Sequence, residues 1–424
     1  MSEETPLSII DVAIIGGGAA GLASAIFAAR AAPAKSIVVL DGARKLGAKI
    51  LVAGGGRCNV MNQTVTAADF CGTHPKIIKR VLAAFPVEQT VLFFREIGVE
   101  LKAEEHGKLF PTTDRAQTVL DALLREADRA GVRIQAANRV TDIEKQDDGF
   151  RIETDVTTLN ARRVILATGG MALPKSGSDG AGFEMARRLG HSIVPLTPAL
   201  VPFVLEGDFH TPLSGVAQDV ELSIRVDYAK PIRVRGAMLW THFGVSGPVV
   251  LDGSRHWHRA RVEDREVAVT ANFLPGQDFA TAEQAWFDMA KSNPKMLVRK
   301  GLSRRLPARV AEAVLRKLAI DGAIPLAHFS KDQRRRLFHA LLAWPLPVRD
   351  SRGYTHAEAS AGGIPLTEID SRTMSSRKCP GLFLVGEILD VDGRIGGFNF
   401  QWAWSSAWVA GWGVAALSDE PVRR

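Results

Sequence analysis

Residues 9–30 read IIDVAIIGGGAAGLASAIFAAR, and the fold follows from this stretch. Ile9 to Ile15 is a short, β-branched, apolar run broken by one acid, Asp11, which suits a strand buried on both faces of a parallel sheet. Gly16, Gly18 and Gly21 then fall at G-x-G-x-x-G spacing, and Ala and Leu continue in a helical pattern to Arg30. The first glycine permits a tight turn, the second lets a pyrophosphate approach the backbone, and the third lets helix and strand pack closely. The helix start at Ala19 and Ala20 offers free N–H groups and a partial positive charge to phosphates. A second β-branched run, Ser36 to Leu40, ends in Asp41, close to the offset of about 20 residues expected of an acid that binds ribose hydroxyls. Strand, glycine turn, helix, strand and acid are in order. The acid favours a plain adenosine ribose over a 2′-phosphorylated one, and both FAD and NAD satisfy that much.

Composition sets the frame. A chain of 424 residues, 46% hydrophobic and 23% charged, has room for two or three globular domains. Cys58, Cys71 and Cys379 form neither a C-x-x-C pair nor a zinc set, so no metal and no disulfide framework is expected. Glu3 and Glu4 stand where a signal peptide would carry basic residues, and a cytoplasmic protein is expected. Phe398 to Leu417 is uncharged and nearly long enough to span a bilayer, but its Asn, Gln and Ser content reads as a buried closing helix. On that helix Trp404, Trp408 and Trp412 share one face, as packing residues. The net charge of +7 is local: residues 295–349 hold thirteen Lys and Arg against three Asp and Glu. A solvated basic surface is the default reading there, with no nucleic-acid partner expected.

Further along, Gly54-Gly55-Gly56-Arg57-Cys58-Asn59 is a second glycine-rich loop, lacking the strand–helix setting of another dinucleotide fold. Its glycines suggest backbone passing close to a flat or bulky group, with Arg57 placing a fixed positive charge beside it. Val164-Ile165-Leu166 runs into Ala167-Thr168-Gly169-Gly170, and this strand ending in A-T-G resembles one that recurs in two-dinucleotide-domain flavoproteins, where the chain passes close to the FAD. Near the C-terminus, Leu382–Val385 reads as a buried strand ending in Gly386-Glu387, and Gly396-Gly397 then opens the closing helix. Such an acid accepts hydrogen bonds from ribityl hydroxyls, and such a helix start stabilises negative charge on a reduced flavin ring.

The stretches AIIGGGAAGLASAIFAAR, LVAGGGRCNVMN, ATGG, THFGVSGP and GLFLVGEILDVDGRIGGFNFQWAWSSAWVAG together resemble the bacterial HI0933-like flavoproteins over nearly the whole chain. The resemblance implies an α/β fold: a Rossmann-like FAD-binding domain built from residues 1–190 and 352–424. An inserted β-rich domain at 191–278 and a small basic helical domain at 279–351 would lie between. Carried over by position, Gly16, Gly18, Gly21, Asp41, Arg57, Gly386, Glu387, Asp392, Gly397 and Asn399 would contact FAD. The other cofactor-binding candidates are Ala19, Ala20, Lys45, Gly56, Cys58, Asn59, Val140, Thr168, Gly169 and Phe398. Family members have been linked to bile-acid dehydroxylation and to amine oxidation. The chain departs from the family at GSDGAG (residues 177–182), where GSTGDG is usual, and at Ser360, where Thr is usual.

The expected function is a FAD-dependent oxidoreductase that passes a hydride between a small-molecule substrate and flavin N5. Oxygen or a transiently bound NAD(P) would complete the cycle, because no second G-x-G-x-x-G marks a dedicated nicotinamide domain. The absence of C-x-x-C argues against a disulfide reductase. The alternatives are a flavin-containing RNA-modifying or nucleic-acid-binding protein using the basic helical insert, and a flavin-bearing redox sensor. His242, Lys108 and Cys58 are the candidate catalytic residues. Oligomeric state is not legible.

Overall fold

The computed structural model describes residues 9–416. Five parallel strands carry the first unit, labelled β1 (Ile10–Ile15), β2 (Ile37–Leu40), β3 (Arg133–Gln135), β4 (Thr158–Leu166) and β5 (Leu382–Leu384). Their spatial order is β5-β4-β1-β2-β3. In register, Ile15 lies between Leu40 and Leu166, and Leu166 pairs onward with Leu384. β1, β2 and β5 are almost wholly buried, as strands covered on both faces should be. Antiparallel strands Val140–Gln146 and Gly149–Thr154 extend the sheet beyond β4.

Three helices matter for the site: α1 (Ala19–Ala31), α2 (Ala48–Gly56) and α3 (Phe398–Ala416). α1 buries every residue from Ala20 to Ala29, because α3 covers the side that the sheet does not. The two helices touch backbone to side chain: a Cβ on Gly411 would lie 2.6 Å from the Phe27 Cβ and 2.9 Å from the Ala28 nitrogen. Trp404 is fully buried and meets Phe94 edge-on, and Trp408 stacks on Phe85. Only Trp412 of the three tryptophans is substantially exposed. α3 is therefore a closing helix, and no helix among the described residues is long and apolar enough to cross a membrane. Leu417, the last residue of the apolar run, lies outside the described residues.

Compact units divide the chain at Thr197 and Ala357. The expected cuts near 191 and 352 fall a few residues outside that span. Val194–Ala199 pairs with Ala359–Gly363, which keeps both flanks in the first unit up to Leu196 and from Glu358. Within 197–357 the expected split at 279 is not found. A seven-stranded antiparallel sheet and the helices that follow share one core. Phe273 from the sheet stacks on Trp344, and Trp286 meets Phe338 within the helical part. The Phe273 N–H also donates to the Leu341 carbonyl at 2.8 Å. The shift to basic composition marks a solvent face of this unit, not a separate fold.

Helix Pro248–Val262 of the second unit carries His256 and His258. Burial pushes both imidazoles down to about 4, with Arg255 lowering His256 further and Asp350 opposing the shift at His258. Above the ordinary value of about 6.5 both states are neutral. As pH falls below it, the unfolded chain takes protons that the fold refuses, so stability falls with pH between about 6.5 and 4. The thermal midpoint should drop across pH 6.5 to 5, and a His256→Gln/His258→Gln variant should flatten that slope. Equal slopes in the two proteins would contradict the assignment.

Candidate functional site

Because β1, β2, β4 and β5 run parallel, their carboxyl ends meet at one edge of the sheet, where α/β folds bind ligands. β1 exits into Gly16 at φ +108°, where a Cβ would come 2.5 Å from the Ala167 carbonyl oxygen. A Cβ on Gly21 would sit 1.8 Å from the Gly16 oxygen. Both glycines are therefore demanded by the protein's own packing. Gly18 is different. Its backbone is extended, with φ −81° and ψ −168°, and a Cβ there would meet no protein atom within 4 Å. Gly18 also starts α1, whose first turn has no side-chain cap and no acid. The free N–H groups of that turn are a ready anion site.

The Asp41 carboxylate ends β2 and accepts from the Gly17 N–H at 2.6 Å and the Ala43 N–H at 2.7 Å. Each oxygen keeps acceptor capacity for a further donor. Asn138 N–H donates to the Asp41 carbonyl, which brings the buried Val140 toward the same end of β2. Lys45 is exposed at the turn after Asp41.

At the end of β4, Gly169 has φ +74°, and the buried Thr168 hydroxyl has no hydrogen-bond partner. The Ser360 hydroxyl accepts from the Met171 and Ala172 N–H groups at 2.8 and 3.0 Å, so the serine satisfies the backbone here with its Oγ alone. At the end of β5, Gly386 turns at φ +73° against Ala20, the second residue of α1. Helix α3 holds that turn from behind: Trp402 Nε1 donates to the Gly386 carbonyl at 3.1 Å, and Gly386 N–H donates to Ser406 Oγ at 3.1 Å. Glu387 follows, with Oε1 accepting from the Ser360 N–H at 2.8 Å and Oε2 paired with Lys49 Nζ at 2.6 Å. Lys49 joins the candidate site through this pair, and spacing alone does not single it out. The signal lies in helix phase: α2 starts after Gly47 at φ +71°, leaving Lys49 half-buried and Lys45 in solvent.

The second glycine segment departs from expectation in two ways. α2 breaks at Ala53, and Gly54, Gly55 and Gly56 all take left-handed φ values. Arg57 then turns away to an ion-pair network, with Nη1 2.8 Å from Glu104 and 3.4 Å from Asp114, and its guanidinium lies 4.1 Å from the Phe110 ring centre. Those two acids engage its Nη1 alone, and the side chain stays partly exposed. Cys58 fails as a base. Its thiol is fully buried and burial pushes its pKa up to about 12, which disfavours the thiolate. Asn59, by contrast, has a buried side-chain oxygen with no partner.

Gly397 lies against the strand Met61–Asn62, where a Cβ would come 2.5 Å from the Met61 carbonyl carbon. Asn62 Nδ2 donates to the Gly396 carbonyl at 3.2 Å, and Asn62 pairs in register with Lys108. Lys108 is thus near the glycine turn and makes no ion pair among the described residues. Asn399 is spent internally: Oδ1 accepts from the Gly393 N–H and Nδ2 donates to the Gly393 carbonyl. Phe398 is buried under the Arg394 guanidinium, and the buried Asp392 is anchored by strand pairing opposite Cys71.

His242 belongs to the second unit, exposed at the tip of a hairpin. Beside it Phe243 carries the Arg352 guanidinium 4.6 Å from its ring centre, and Arg352 Nη2 lies 2.7 Å from His356 Nε2. The Thr241 hydroxyl is buried without a partner. This group of side chains, not His242 alone, can present donors to a carbonyl or carboxylate.

The glycine turn, the uncapped start of α1, Asp41 and the orphaned Thr168 and Asn59 atoms fit a flavin dinucleotide. Gly18→Ala separates the ligand's demand from the fold's. It should shift the thermal midpoint of the flavin-free protein by no more than about 2–4 °C while weakening flavin binding at least about tenfold. Gly21→Ala should lower the midpoint far more. Unchanged flavin affinity in Gly18→Ala would contradict the placement.

Residues 10–413 match the family model described as the HI0933-like protein Rossmann domain. The chain is 33% identical over 400 residues to a Clostridium scindens protein named 3-dehydro-bile acid delta(4,6)-reductase, covering 94% of this chain and 98% of that one. It is 32% identical over 407 residues to an Escherichia coli protein named ribosomal RNA dihydrouridine synthase, covering 94% and 96%. A solved quinol-fumarate reductase covers 96% of this chain and 70% of its own, at 17% identity and a TM-score of 0.50, and shares the fold. The chain belongs to the HI0933-like family of flavin-dependent oxidoreductases.

Proposed function

We propose that the protein binds FAD and reduces a carbon–carbon double bond conjugated to a carbonyl group in a small molecule, with NAD(P)H as electron source. The observation that carries the cofactor half is the convergence of Gly18, Asp41 and Glu387 from β1, β2 and β5 on one sheet edge. A bound flavin would supply a hydride to the electron-poor carbon of such a bond, and a proton from water or a protein donor would complete the neighbouring carbon. Asp41 serves the adenosine ribose, the start of α1 the pyrophosphate, and Glu387 the ribityl hydroxyls. The reductive direction rests on the two relatives, whose names describe a delta(4,6)-reductase and a dihydrouridine synthase. Both names imply saturation of a double bond.

The test is anaerobic. NADPH or NADH should bleach the flavin of the purified protein, and a 3-oxo-Δ4 steroid should restore its colour where an unconjugated alkene does not. A flavin restored only by oxygen would overturn the reading.

A second reading, that the double bond belongs to a uracil within RNA, is favoured by the surface of the second unit and by the name of the Escherichia coli relative. Arg299 packs against Gly322, and Arg336 Nη2 donates to the Leu318 carbonyl at 2.8 Å. These contacts gather Arg299, Arg316, Lys317 and Arg336 from three helices around one exposed turn. None of the four forms an ion pair among the described residues. If RNA is the substrate, retention on ribosomal RNA should fall steeply with salt, and Arg299→Gln/Lys317→Gln should reduce that slope by about two. Retention that is insensitive to salt would exclude this reading.

A further inference from the structure

Lys49 and Glu387 stand 338 positions apart in sequence, yet their charged atoms meet at 2.6 Å. Their side chains are only 24% and 19% exposed. Withdrawing two charges from water is costly, and a packed apolar pair would tie α2 to the β5 turn at least as well. The pair is therefore better explained by what charge does at this place than by packing. The carboxylate is fixed on both sides, by Lys49 on Oε2 and by the Ser360 N–H on Oε1. Its surroundings leave it little room, since a Cβ on Gly170 would lie 2.7 Å from Oε1. Each oxygen retains a lone pair for one more donor. Asp41, at the other side of the site, is fixed by backbone N–H groups and has no cationic partner among the described residues.

We infer that Lys49 is a positioning residue for the flavin half of the cofactor: it holds the Glu387 carboxylate as acceptor for the ribityl hydroxyls and offsets its negative charge there. This rests on the FAD reading above. Asp41 serves the adenosine half and does not depend on Lys49. Removing Lys49 leaves a half-buried carboxylate uncompensated beside the flavin, which loosens the grip on the polyol and disfavours added electrons. Arginine at 49 keeps the charge and the donor.

The experiment measures the affinity of deflavinated protein for FAD and for ADP, and the midpoint potential of the holoprotein, in wild type, Lys49→Met, Lys49→Arg and Glu387→Gln. Lys49→Met should bind FAD about tenfold or more weakly. It should bind ADP within about twofold of wild type and have a more negative potential, with Lys49→Arg restoring most of both. Glu387→Gln, which keeps the shape and removes the charge, should move the potential the opposite way and remains informative if Lys49→Met does not fold. Equal weakening of FAD and ADP by Lys49→Met, or potentials unmoved in both Lys49→Met and Glu387→Gln, would overturn the inference. Wild-type protein that binds ADP but takes up no FAD would instead overturn the flavin reading itself.

Discussion

The structure depends on a short parallel ladder that joins the two ends of the chain. β1 comes from the first residues described and β5 from near the last, with β4 between them. The Val385 N–H donates to the Leu166 carbonyl at 3.1 Å, the Ala167 N–H to the Ile15 carbonyl at 2.9 Å, and the turn at Gly386 rests on Ala20. Parallel pairing offers no hairpin to make this register local. It is fixed by burial of Val, Ile and Leu on both faces and by α3 locking over α1 at Gly411. The site exists only when these distant segments are in register, because each contributes one strand end.

The insertion of residues 197–357 between β4 and β5 leaves that ladder intact. The insert has its own sheet and its own aromatic core, so it folds around Trp240, Phe273 and Trp286 without borrowing from the first unit's core. Chemistry is divided accordingly. The first unit carries the glycine turn and the acids that suit a dinucleotide. The second carries the Phe243–Arg352–His356 group and the basic face.

Much of this is legible in the sequence. The glycine turn, Asp41, the strand ending at Leu166 and the closing helix with Trp404 and Trp408 packed all follow from periodicity and spacing, whereas Trp412, expected to pack as well, is exposed. What escaped was the partner of each polar group. Spacing placed Arg57 beside a glycine loop but did not say that Glu104 and Asp114 would engage its Nη1. It marked Asn399 at a helix start but not that Gly393 would occupy both ends of its amide. It chose Lys45 over Lys49, because the left-handed turn at Gly47 sets the phase of α2 and a one-turn helix carries too little pattern to reveal it. The helical part of the insert read as a separate domain because composition reports the solvent face, whereas Trp286 and Phe338 report the core.

That both ends of the chain form one flavin site can be checked most directly by titrating FAD into deflavinated protein and following flavin fluorescence in wild type and in Gly386→Val. A side chain at Gly386 would crowd Ala20 and is strained at φ +73°, so it should part β5 from the start of α1. Wild type should saturate at one FAD per chain, and the variant should lose that binding. FAD uptake that is the same in both proteins, or absent from wild type, would contradict the shared site.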